Sequence, residues 1–194
     1  MPEILPDNVP SPRTPLGWDT VRYRPLSIDA AGNLQVVIVG GRVGMYRDYV
    51  HVQDQKARNT PGGGFTLGAW RTRDINTELA DTGGICAIAA NQITLQAGVY
   101  QYLISCPAFK VEHHQAVLYN VTAAVIIRTG TSEISGAADA VMSRSVIVGR
   151  TTLAIASVLE IRHQSSATRA GDGFGSPANI TAEVYTVAEF WREW

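Results

Sequence analysis

Ile180-Thr-Ala-Glu-Val-Tyr-Thr-Val-Ala-Glu-Phe-Trp-Arg-Glu-Trp194 closes the chain and reads as a β-strand with two apolar faces. Successive side chains of a strand point to opposite sides of its sheet. Strict alternation puts Ile180, Ala182, Val184, Ala188 and Phe190 on one side. It puts Tyr185, Val187 and Trp191 on the other, with Glu183 and Glu189 among them. Antiparallel sheets commonly leave one face to water, so a strand apolar on both sides needs a second thing to pack against. In a mostly-β chain of 194 residues, the expected second thing is another copy of the chain.

Outward from this strand the same kind of signal recurs. The sequence predicts strands near 49–54, 65–72, 74–79, 85–89, 92–96, 98–109, 114–122, 124–128, 141–149, 152–163 and 180–192, and no segment has helical periodicity. Many short strands broken by Gly, Asn and Asp turns predict an all-β sandwich or barrel. Val99-Tyr-Gln-Tyr-Leu-Ile-Ser-Cys106 is two-sided as well, with Val99 and Leu103 opposite Tyr100, Tyr102 and Ile104. In Leu153–His163, by contrast, Leu153, Ile155, Leu159 and Ile161 share one face, and the other ends in Glu160 and Arg162. The expectation is an inner sheet covered on both faces and an outer sheet that meets water.

The first 45 residues read differently. Pro2, Pro6, Pro10, Pro12 and Pro15 forbid helix or sheet interior over 1–17 and predict an extended arm. Val21–Asp29 and Leu34–Val39, joined by Ala30-Ala-Gly-Asn33, predict a β-hairpin. Such a hairpin is marginal alone and expects a neighbour. Residues 1–45 are therefore expected to anchor the chain to another protein, with Trp18, Tyr23, Leu34, Val36 and Ile38 as contacts, and 46–194 to form the head.

Composition narrows the function. Hydrophobic residues make up 45% of the chain and charged residues 17%, against about 25% charged in an average soluble protein. A surface so poor in charge fits a chain that hides much of itself in an assembly. The net charge of −1 argues against nucleic acid as a partner. No apolar run approaches the ~20 residues of a membrane span, and the start lacks a basic region followed by an apolar core, so synthesis in the cytoplasm without a signal peptide is expected. Cys86 and Cys106 are expected as two buried thiols.

Little in the sequence points to chemistry. Gly62-Gly-Gly64 lacks the Lys-Ser/Thr of a phosphate loop and reads as a plain loop. His113 and His114 are adjacent, so a strand sends them to opposite faces, and His51 and His163 have no partner at ligand spacing. No metal or other cofactor is expected. No Gly-x-Ser-x-Gly elbow is present, and an enzyme is not expected. Asn120-Val-Thr and Asn179-Ile-Thr match the glycosylation pattern, which carries no weight without a signal peptide. The segment Gln164–Asn179 is a long loop between strands, and loops beyond ~12–15 residues are often functional. Its Arg169, Asp172 and Phe174 offer an aromatic plate and charged groups to a ligand, or the loop merely covers the end of the barrel or the next protomer. Loops 55–64 and 129–140 are weaker candidates for the same role.

Some of these stretches resemble a known family. The strand order, the turn Gln96-Ala-Gly98 leading into Val99-Tyr-Gln-Tyr, and the closing aromatic strand resemble the tumour necrosis factor and complement globular-head superfamily. Val52–Thr60, Gly68–Thr77, Leu118-Tyr-Asn-Val121 and Glu183–Trp191 resemble a domain of bacteriophage tail and other virion proteins. The resemblance covers residues 49–194 and implies a ten-stranded jelly roll assembled as a trimer about a threefold axis. With it comes the expectation of a virion structural protein, an appendage of the tail fibre, baseplate or capsid decoration kind, held by other virion proteins through its arm. A host surface glycan or protein is the candidate receptor. The trimer contact is expected at Tyr100, Tyr102, Tyr185, Val187 and Trp191. The alternative is a free-standing carbohydrate- or receptor-binding module.

Overall fold

The computed structural model describes residues 46–194, together with the backbone of two short strands upstream. Those two, β1 (Ser27–Ile28) and β2 (Leu34–Gln35), pair antiparallel where the hairpin is expected. They belong to a first unit, residues 1–41, and the rest of the chain forms a second. Trp18, Tyr23, Val36 and Ile38, and the side chain of Leu34, lie outside the described residues.

The second unit carries twelve strands and no helix among the described residues. They are β3 (Asp48–Lys56), β4 (Arg71–Thr72), β5 (Thr77–Asp81), β6 (Cys86–Ala89), β7 (Gln92–Leu95), β8 (Gly98–Phe109), β9 (Glu112–Asn120), β10 (Val125–Thr129), β11 (Glu133–Ser135), β12 (Met142–Leu153), β13 (Ser157–Ser165) and β14 (Glu183–Arg192). Ten of them form two sheets of five, in the orders β12-β8-β14-β3-β5 and β10-β9-β13-β7-β6, and the short β4 and β11 add to β13 and β9 in the second. The pairings nest, β3 with β14, β7 with β13, β8 with β12 and β9 with β10. A long hairpin wound on itself gives this nesting, which is the jelly roll that the resemblance implies.

Alternation builds the core. From β8 and β14 the side chains of Tyr100, Tyr102, Ile104, Cys106, Ala188 and Phe190 point inward, and from the other sheet Ile93, Leu95, Ala116, Leu118, Leu159 and Ile161 meet them. Each large apolar side chain buried this way contributes about 1.5–3 kcal/mol. Both thiols are free, Cys106 buried and Cys86 half-buried.

Three expectations need correction. The 65–72 stretch is mostly irregular: Phe65 makes one isolated bridge to Arg169 and only Arg71–Thr72 is strand. The break expected at 150–151 falls instead after Leu153, which leaves Ile155 in a turn, 63% exposed, and not on a core face. In β14, Val184 pairs with Gln55 but Val187 with Gln53, so the strand carries one extra residue, a β-bulge. The bulge reverses the alternation upstream of it: Tyr185 turns into the core and Val184 turns out, 38% exposed.

Candidate functional site

The first sheet has a face that nothing among the described residues covers. Outward residues form cross-strand rows, His51-Glu189-Leu103-Val148 and Gln53-Val187-Ser105-Val146. A third row joins Tyr49, Trp191, Gln101 and Arg150. Leu103 is 39% and Val148 59% exposed, and Val187 and Trp191 are half-buried.

The edge of this face is fixed by aromatic and polar contacts. Trp191 packs between Tyr49 and Tyr46, with ring centroids 5.6 and 6.1 Å away. Tyr46 Oη donates to Gln101 Oε1 at 2.9 Å, and Gln101 Nε2 donates to Glu193 at 3.1 Å. Arg150 forks onto the same carboxylate at 2.8 and 2.7 Å and, with Gln101, pulls its pKa down to about 2. Tyr49 donates to Glu189, and burial first, then that carboxylate, pushes its phenol up to about 12. His51 Nε2 is buried without a partner among the described residues.

Of the residues expected at a trimer contact, Val187 and Trp191 lie on this face. Tyr100, Tyr102 and Tyr185 do not: each is at most 2% exposed, inside the protomer. Alternation correctly separates Tyr100 and Tyr102 from Val99 and Leu103, but the tyrosines are the core side.

The loop 164–179 closes one end of the sandwich. Phe174 is 8% exposed, stacks on Phe65 at 4.5 Å and lies under the Arg73 guanidinium at 4.1 Å. Arg73 is fully buried and donates to Thr186 Oγ1 (2.7 Å), Pro107 O (3.1 Å) and Phe174 O (2.9 Å). Burial lowers its pKa to about 10, so it remains a cation at neutral pH. Asp172 is taken by Arg169, with contacts of 2.6 and 3.2 Å. Glycines make the closure possible: Gly62 N donates to Gly175 O and Gly63 N to Gly171 O. A Cβ on Gly62 would stand 2.9 Å from the Phe174 backbone. Of the three residues expected to face a ligand, Phe174 is therefore buried in the closure, while Arg169 and Asp172 pair with each other and the Arg169 side chain stays 41% exposed.

Beside that loop, on the outward side of the second sheet, lies an open cavity of about 640 Å³. Its lining comes from Trp70, from His113–Gln115 on β9, from Ser132–Ile134 and from Gln164–Ser166. Two segments named in the sequence thus contribute, 129–140 and the first residues of 164–179.

Beneath the cavity runs a buried polar chain. His114 Nε2 is 2.8 Å from Ser143 Oγ, and His114 Nδ1 is 3.0 Å from His163 Nε2. Ser143 Oγ donates to Ile134 O at 2.9 Å. A hydroxyl has one proton, so Nε2–H of His114 donates to Ser143 and Nε2–H of His163 donates to His114 Nδ1. This leaves one bare acceptor, His163 Nδ1, which is buried and has no partner among the described residues. The opposite tautomers would strand an N–H there and leave Ile134 O without its serine donor. So wired, His114 has no lone pair for the serine proton, and the trio is not a nucleophile with its base. Burial holds both imidazoles neutral: His114 falls to about 4, and His163 well below its ordinary value, with Arg73 adding repulsion. The described residues hold no cluster of three or more His, Cys, Asp or Glu suited to a metal ion.

No protein-family profile matches the chain, and no curated protein matches it. Among solved structures it is similar to the globular domain of zebrafish complement 1qA, at 15% identity over 76% of this chain and 97% of that one, with a TM-score of 0.44. It is similar to murine APRIL at 10% identity, over 75% and 98% of the two chains, with a TM-score of 0.46. It is similar to PRD1 vertex protein P5 at 12% identity, over 78% and 100%, with a TM-score of 0.47. They are likenesses of fold.

The residues that sequence reasoning missed are Arg73, the His114–His163 pair and the cavity. Arg73 sits in Trp70-Arg-Thr-Arg-Asp-Ile75 and looks like any solvated loop cation. The histidines and the cavity arise from pairing between β9 and β13, which a sequence does not print.

Proposed function

We propose that the protein is a homotrimeric structural component of a virion, with residues 46–194 as its head and residues 1–45 as the segment that docks on another virion protein. The observation that carries the trimer is the outer face of β12-β8-β14-β3-β5, where Leu103, Val148 and Val184 are 38–59% exposed beside half-buried Val187 and Trp191. Contiguous apolar surface of this kind marks interaction sites. A sheet face repeated on each protomer can bury itself about a threefold axis, with Trp191 and Val187 as the contacts retained from the sequence reading. The resemblance of 52–60, 68–77, 118–121 and 183–191 to virion domains supports the setting.

A second reading, a carbohydrate- or receptor-binding module, is favoured by the open cavity on the other sheet, which a trimer built on the first sheet leaves free. The two readings combine if the virion protein is itself the adhesin. Antibodies against the folded head should label intact particles purified from the producing culture. Label confined to the particle-free fraction would overturn the virion assignment and leave the free-standing module.

A further inference from the structure

The cavity of about 640 Å³ is lined from three neighbouring strands of the second sheet, β13, β9 and β11, and from the residue before β4, which pairs with β13. Gln164 and Gln115 are direct cross-strand partners on β13 and β9. Trp70 immediately precedes β4 at one side, 39% exposed, and Glu133 lies on β11 at the other.

The hydrogen-bonding capacity here is largely unspent. The side chains of Gln164, Glu133 and His113 make no hydrogen bond or ion pair with the described residues. Gln115 uses its Nε2 on Gly130 O and Ser132 Oγ, each at 3.0 Å, which leaves Oε1 as an acceptor. Ser166 Oγ accepts from His113 N at 3.0 Å and keeps its own proton to give. Amide donors, amide and carboxylate acceptors and a hydroxyl thus line one cavity with a single indole, and no Lys or Arg is among the lining residues.

That chemistry selects its ligand. A site with one carboxylate and no Lys or Arg repels anions, and unpaired amide, carboxylate and hydroxyl groups are costly for a wholly apolar ligand to desolvate. A ring rich in hydroxyls, with an apolar C–H face to lay on an aromatic plate, satisfies both halves. We propose that this cavity binds a neutral pyranose residue of a surface glycan, with Trp70 stacked on the sugar and Gln164, Gln115, Glu133 and Ser166 taking its hydroxyls. The proposal deepens the adhesive reading given above and rests on it.

The test is an NMR titration of the full-length protein that follows the Trp70 indole N–H, identified by its loss in Trp70→Phe. The probes are the methyl glycosides of galactose, glucose and N-acetylglucosamine, with N-acetylneuraminic acid as the anionic comparison. At least one neutral glycoside is expected to shift the signal saturably, with a Kd on the order of 1 mM for so small a ligand, and the anionic sugar is not. Trp70→Ala and Gln164→Ala should each weaken binding about tenfold or more, as judged from the remaining cavity resonances, and Arg169→Ala should leave it unchanged. Saturable binding unaffected by Trp70→Ala and Gln164→Ala would overturn the site, as would no saturable shift with any of the three glycosides. Retention of the protein on host cells is scored separately. Cell binding without a sugar site would sink the cavity and keep the adhesin, and a sugar site without cell binding would do the reverse.

Discussion

His114 and His163 face each other inside the jelly roll, Nδ1 of the first 3.0 Å from Nε2 of the second, and the far nitrogen of His163 has no partner among the described residues. The pair is stable only as two neutral rings, because a proton added at His163 Nδ1 would find no acceptor there and would stand near the buried cation of Arg73. In the unfolded chain both rings titrate near 6.5; folded, His114 titrates at about 4 and His163 well below 6.5. Between these values the unfolded state binds more protons than the folded one, so stability rises with pH through that window and is lost as pH falls from 6.5 toward 4. For His114 the loss by pH 5 is about 1 kcal/mol, allowing for water that reaches the ring from the cavity. Thermal melts should show a lower Tm at pH 5 than at pH 7.5, and His163→Gln should flatten that dependence. A Tm that is flat from pH 7.5 to 5 in the unmodified protein would contradict this wiring.

Arg73 is the tie between loop 164–179 and the core. Arg73→Met removes the donor to Pro107 O and Phe174 O and strips the cation from the Phe174 ring. The orphaned carbonyls and lost packing should cost about 3–5 kcal/mol, read by urea unfolding. Arg73→Lys should recover only part of this, because an ammonium cannot fork to three acceptors and stack at once.

Tyr102 makes the opposite prediction. Its hydroxyl is buried with no partner among the described residues. Tyr102→Phe should therefore be neutral or should stabilise by up to about 1 kcal/mol, and should not change the oligomeric mass. A marked loss of trimer in Tyr102→Phe would restore this residue to the subunit contact.

Gly175 has φ +152, and a Cβ there would stand 2.1 Å from the Tyr185 ring. Gly175→Ala must move that ring, whose hydroxyl donates to Thr60 O at 2.8 Å. We expect a loss of about 2–4 kcal/mol in urea unfolding, with Gly136→Ala, where a Cβ would meet only Asp139 Oδ2 in an ordinary contact at 3.6 Å, as the mild comparison.

Much of the architecture is legible in the sequence because alternation survives in the long strands. The limits 98–109 of β8 are read correctly, as are the opposite faces of His113 and His114. Alternation sorts residues into two sides but does not say which side is the core when both are apolar. That is why Tyr100 and Tyr102 are read outward and Leu103 is not. A single bulge between Val184 and Val187 then moves Tyr185 inward, and one extra residue in a strand leaves no mark in composition. The loop misreads for another reason. In Gly171-Asp-Gly-Phe-Gly175 the glycines look like freedom, whereas they let backbones approach closely enough to cover Phe174. The Gln115–Gln164 pair depends on register between strands far apart in sequence, which no local pattern reveals.

The outer face of the first sheet carries the central claim. Leu103→Glu with Val148→Glu places two charges on it without touching the core, so the fold should persist while assembly fails.

The most direct test is the mass of the unmodified full-length protein by light scattering at micromolar concentration. Three copies of 20.9 kDa predict about 63 kDa, falling to the monomer mass in the double glutamate variant. A mass of about 21 kDa for the unmodified protein would contradict the trimer and leave the exposed face of β8, β12 and β14 to another partner.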